Sequence, residues 1–110
     1  MTLLNSNQMA TFAARGFLRF DGVVPEEINQ RFLAELGDVP EGDVTSPEAH
    51  YGRVMQLGSV PVVPAGISLA NAYPAESAIS QLLAVPVVSG AVESLVGSKP
   101  VLDHHFLHIT

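Results

Sequence analysis

The chain has no cysteine and no tryptophan, and only 5 of its 110 residues are Lys or Arg. Without cysteine there is no disulfide framework, no thiolate metal site and no cysteine nucleophile, which fits a reducing compartment. Binding nucleic-acid phosphates requires clustered cations. Here Arg15, Arg19, Arg31, Arg53 and Lys99 are scattered, and 11 Asp and Glu bring the net charge to −6. Neither nucleic acid nor an anionic membrane surface is an expected partner. Charged residues make up 15% of the chain, well below the roughly 25% of an ordinary domain. The hydrophobic share is 47%, and a chain this apolar collapses rather than staying solvated and disordered.

A secretory signal needs a basic region followed by an apolar run. The opening MTLLNSNQMATF has neither, so the expected location is cytoplasmic. The most apolar stretches, residues 60–73 and 82–97, are interrupted by Pro61, Pro64 and Pro86 or by Glu93. Neither reads as a membrane span. The length, 110 residues and 11.6 kDa, is that of one domain or part of one.

Local signals define the elements. Asn5 or Ser6 is placed to cap a helix over residues 5–16, with Met9, Phe12 and Ala13 at helical spacing and Gly16 as a left-handed stop. Phe17-Leu18-Arg19-Phe20 reads as a strand closed by the turn Asp21-Gly22. Pro25, with Glu26 and Glu27 at the positive end, opens a helix over residues 25–36. Ile28, Phe32 and Leu36 recur along it with Leu33 beside them, and Gly37 ends it. On this helix Glu26, Glu27 and Glu35 read as capping and exposed-face residues. Residues 37–59 read as a polar loop holding His50, with a strand around residues 53–57. Residues 60–74, with three prolines, read as an extended apolar loop or edge strand. Residues 75–84 suit a helix with Ile79, Leu82 and Leu83 inward. Pro86 begins a second helical run to Val96, ended by Gly97, with a kink between the two. Residues 100–110 read as a strongly apolar strand.

That last strand holds the residues with most chemistry to offer, in Asp103-His104-His105-Phe106-Leu107-His108. Strand side chains alternate between faces. Val101, Asp103, His105, Leu107 and Ile109 therefore share one face, and Leu102, His104, Phe106, His108 and Thr110 the other. His104 and His108 stand about 13 Å apart along such a strand, too far to hold one metal ion between them. They are candidates for lining a pocket mouth, and the bland alternative is polar lining of a buried strand. No nucleophile elbow, phosphate-binding loop or His-Glu-x-x-His pair occurs.

The run from Gly16 through Phe17-Leu18-Arg19-Phe20-Asp21-Gly22-Val23-Val24-Pro25-Glu26-Glu27, followed by the helix Ile28 to Leu36, resembles the opening of phytanoyl-CoA dioxygenase-like proteins. The helix from Pro86 to Gly97 and the His-bearing strand after it are also similar to that family's approach to its catalytic core. The stretch 38–74 adds little. The resemblance implies an α+β chain: amino-terminal helices and the first strands of a double-stranded β-helix (jelly roll), with residues 1–110 as one partial domain. Family members are non-haem Fe(II)/2-oxoglutarate-dependent oxygenases that hydroxylate small molecules. Their iron is held by His-x-Asp/Glu and a distant His, a facial triad that leaves positions open for cosubstrate and oxygen. A later Arg holds the 2-oxoglutarate carboxylate.

This sequence departs from that pattern. The residues two positions after His50, His104, His105 and His108 are Gly52, Phe106, Leu107 and Thr110. No His-x-Asp/Glu occurs, and no Arg follows Arg53. No catalytic residue and no metal ligand is therefore carried over, and neither Fe(II) nor 2-oxoglutarate is expected on this chain alone. The favoured expectation is an inactive amino-terminal fragment of such an oxygenase. The alternative is a non-catalytic ligand-binding or protein-interaction module, docking through segments 60–74 and 100–110. A third reading is a small metal-binding protein using the His cluster. The strand over residues 101–109 also offers an unpaired edge for self-association.

Overall fold

A computed structural model describes residues 1–36 and 65–104. Among the described residues four helices, a 3-10 turn and a two-stranded sheet form an α+β arrangement. The expected loop with His50, the strand at residues 53–57, the start of the apolar segment at residues 60–64, and His105 and His108 lie outside the described residues.

Helix α1 (Ser6–Arg15) starts at a reciprocal cap. Asn5 Oδ1 accepts the Gln8 N–H at 2.8 Å, and Gln8 Oε1 accepts the Asn5 N–H at 2.9 Å. Each side chain satisfies an amide that the first turn leaves open. Gly16 ends the helix at φ 80°, donating to the Phe12 carbonyl. The expected strand over residues 17–20 does not form. A strand needs a ladder partner, and among the described residues none pairs there. Phe17 is instead 61% exposed, and Arg19 turns back onto Asp21 at 2.7 Å.

Helix α2 (Glu26–Leu36) carries Glu26 and Glu27 in its first turn. Ile28 and Phe32 are half-buried, but Leu33 is 59% exposed. Strand β1 (Ile67–Ser68) then leads into the 3-10 turn Leu69–Asn71. Helix α3 (Ala78–Ala84) is three residues shorter at its start than the apolar spacing implied, because Pro74 to Ser77 form a turn. Ser77 donates through both N–H and Oγ–H to the Pro74 carbonyl, and its Oγ accepts the Ser80 N–H.

Helix α4 (Pro86–Val96) follows after Val85 with a 71° change of direction. Proline at a first helical position lacks only an amide that has no partner there. Among the described residues no single helix is long and apolar enough to cross a membrane. Strand β2 (Val101–Leu102) pairs antiparallel with β1, with Ile67 opposite Leu102 and Ser68 opposite Val101. The bonds from Gly66 N–H to Leu102 O and from Leu69 N–H to Pro100 O close the ladder at 2.8 and 3.0 Å. The regular strand is shorter than the segment beginning at Pro100 implied: Asp103 and His104 have left the ladder.

Packing runs α2 on α3 and α3 on α4. The amino-terminal residues lie along α4, with the Thr2 N–H on the Pro86 carbonyl and the Leu4 N–H on Ser94 Oγ, both 2.9 Å. Between those anchors they cross Gly90. A β-carbon there would stand 1.7 Å from the Thr2 carbonyl oxygen, so only glycine admits this approach. Among the described residues the buried apolar side chains are Ala72 and Ala78, and no large side chain is fully buried.

Candidate functional site

The turn after β1, helix α3 and helix α4 enclose an open groove of about 280 Å³. Its walls include Met1, Leu69, Tyr73, Leu83, Val92 and Glu93. Each arrives for a local reason. Leu69 opens the 3-10 turn that follows β1, and Tyr73 lies two residues beyond its end. Leu83 and Val92 belong to the half-buried faces of α3 and α4. Met1 is brought in by the Thr2 anchor at Pro86.

The groove is mainly apolar, with a few polar groups. That is the usual make-up of a small-molecule site, and its volume falls just under the roughly 300 Å³ where such sites begin. Burial raises the Tyr73 phenol above its ordinary value of 10.0, because desolvation disfavours phenolate. The phenol is therefore neutral at physiological pH. Glu93 is half-buried, and no Lys, Arg or His among the described residues forms an ion pair with it.

A second polar cluster lies at the joint of α2 and α3. Both Glu35 oxygens accept the Ala78 N–H, at 3.1 and 3.2 Å. Arg31 pairs with Glu35 at 3.3 Å and donates to the Glu76 carbonyl. A carboxylate at the amide end of a helix satisfies an open donor and opposes the helix dipole. Glu35 is thus a tertiary cap, not the exposed-face residue its position on an amphipathic helix implied. Its side chain is 21% exposed.

The histidine expectation divides. His104 stands at the surface, 68% exposed, with Nδ1 2.6 Å from the Asp103 carboxylate. It is not among the groove-lining residues. His108 lies outside the described residues. Among the described residues no group of three or more His, Cys, Asp or Glu side chains could hold a metal ion. A two-histidine, one-carboxylate iron does not fit them, and the whole sequence lacks the His-x-Asp/Glu pair. Tyr73 and Glu93 were not singled out in the sequence. The available signal was a tyrosine and a glutamate each set within otherwise apolar stretches.

No protein family, curated protein or solved structure matches the chain.

Proposed function

We propose that the chain is the amino-terminal portion of a phytanoyl-CoA dioxygenase-like, Fe(II)/2-oxoglutarate-dependent oxygenase acting on a small molecule. In this reading it supplies helices and first strands of the jelly roll, and the iron and cosubstrate ligands come from sequence beyond it. The observation that carries the reading is the resemblance of residues 16–36 and 86–109 to that family's scaffold. Exposed apolar side chains support it. Phe17, Leu33, Val96 and Val101 are 61%, 59%, 67% and 62% exposed, and covering them would add hydrophobic stabilisation in proportion to the area removed from water.

The same exposed side chains favour a second reading, a non-catalytic module that covers them with a partner and binds a ligand in its groove. Coding sequence continuing past Thr110 separates the two. The oxygenase reading expects His-x-Asp/Glu, a further His and a later Arg there. It also expects 2-oxoglutarate turnover by the extended chain and none by the 110-residue chain. A continuation without those residues, or turnover by the 110 residues alone, overturns it.

A further inference from the structure

Residues 1–16 are held to the other elements by backbone, not by buried side chains. Among the described residues, the hydrogen bonds that tie them elsewhere are Thr2 N–H to the Pro86 carbonyl and Leu4 N–H to Ser94 Oγ. No residue of α1 is buried, and Met1, Leu3 and Met9 are exposed. The close helix packing, α2 on α3 and α3 on α4, leaves α1 out. A segment with few buried apolar contacts opens at lower cost than the core beside it.

Both anchors on α4 keep a partner when that segment leaves. Ser94 Oγ, which accepts from Leu4, also donates to the Gly90 carbonyl at 2.7 Å. The Pro86 carbonyl, which accepts from Thr2, also accepts from Ser89 Oγ–H at 3.3 Å. Release therefore strands no polar group on the helix, which would otherwise add a desolvation penalty. Between the anchors, Gly90 meets the strap through backbone alone. The same helix serves the groove. Ser89, Val92 and Glu93 line it, and so does Met1, the residue next to the Thr2 anchor.

We propose that residues 1–4 are a releasable strap: they leave Gly90 and Ser94 with α1 following, and Met1 leaves the groove wall with them. Residues 17–25, which form neither helix nor strand, are the hinge segment. Closed, the strap bounds one side of the groove; open, it enlarges it. A ligand that needs the space of Met1 binds only the open form and draws the equilibrium toward it. The device uses only residues of this chain and does not depend on the oxygenase reading.

Native-state hydrogen exchange and nitroxide relaxation on the 110-residue chain test the strap. Exchange of the Leu4 amide is expected to be insensitive to low urea, because a local opening exposes little surface. Exchange of the Val92 amide, inside α4, is expected to accelerate as urea rises. Ser94→Ala removes the Leu4 acceptor and alters no groove wall. It is expected to speed Leu4 exchange about 2- to 10-fold without speeding Val92. A soluble nitroxide is expected to broaden the Leu83 and Val92 methyl signals more in Gly90→Ala than in the unaltered chain, up to the level seen after deletion of residues 1–4. Where Gly90→Ala folds poorly, the deletion alone makes the comparison. Leu4 exchange that rises with urea in step with Val92, unchanged Leu4 exchange in Ser94→Ala, or equal broadening of the groove methyls with and without residues 1–4 would each overturn the proposal.

Discussion

The Glu35 carboxylate accepts the backbone N–H of Ala78 through both oxygens, at 3.1 and 3.2 Å, and so ties α2 to the first turn of α3 across 43 residues of chain. Ser77 caps the same turn through its hydroxyl, so α3 begins with one local and one distant acceptor. A helix of 7 residues has little stability of its own, since helix formation has a costly nucleus. Its amide end is therefore a place where one side chain has leverage.

Glu35→Ala is expected to destabilise the chain by about 1–2 kcal/mol, the range for losing a helix cap with favourable charge. Glu35→Gln, which keeps an acceptor, is expected to cost less than half of that. Arg31→Met loses only a partly exposed i,i+4 pair and one bond to a carbonyl, and is expected to cost about 0.5–1 kcal/mol. Urea unfolding midpoints check this order. Equal stability of the Glu35→Ala and unaltered chains would show that the cap contributes nothing.

Gly90 stands inside α4, where glycine costs about 1 kcal/mol relative to alanine. In a free helix Gly90→Ala would therefore stabilise. Here the added β-carbon would strike the Thr2 carbonyl, so the expected result is displacement of residues 1–4 from α4. Hydrogen exchange at the Thr2 and Leu4 amides is expected to speed up, because both lose their acceptors. Once the first four residues are deleted, the same substitution is expected to turn stabilising by about 0.5–1 kcal/mol. The reversal of sign separates a steric effect from an effect on the helix itself.

Tyr73 makes stability fall at high pH. Its phenol holds its proton more tightly in the folded chain than the ordinary value of 10.0. Below that value it is neutral in folded and unfolded chains alike, and its contribution is fully present. As pH rises past the unfolded value the unfolded chain loses its proton first, and the contribution is lost as pH climbs through the folded value. Phenolate absorbance in a Tyr51→Phe background, which leaves Tyr73 as the only tyrosine, is expected to show a midpoint above 10.0. A midpoint at or below the ordinary value would contradict the burial of the ring.

The boundaries of α1 and α4 and the start of α2 were legible in the sequence because their determinants are local, whereas the start of α3 was displaced by the turn at Pro74 to Ser77. The Asn5–Gln8 cap, Gly16, the acidic start at Glu26 and Glu27, Pro86 and Gly97 each act within one turn. The strand expected at residues 17–20 failed because aromatic side chains favour a strand only where another strand lies alongside. The destination of Glu35 was hidden because its partner is set by how α2 packs on α3, not by spacing within α2. Gly90 did carry a usable signal. A glycine inside an apolar helical run points to a close approach by something else, although the sequence could not identify Thr2 as the neighbour. The groove was illegible for the same reason as Glu35, since its walls come from separate elements. His104 belongs to the histidine cluster of the sequence, and in the structure one of its partners is the adjacent Asp103.

The proposed function makes these residues the front of an oxygenase whose iron ligands are supplied by sequence outside them. Succinate release from 2-oxoglutarate, measured with ferrous ion and oxygen on the 110-residue chain and on the product of the coding sequence extended past Thr110, tests it most directly. Release is expected from the extended chain, abolished by changing the encoded His-x-Asp/Glu histidine, and only the background of free iron is expected from the 110 residues. Sustained release by the 110-residue chain, or an extension that encodes no such ligands, would contradict it.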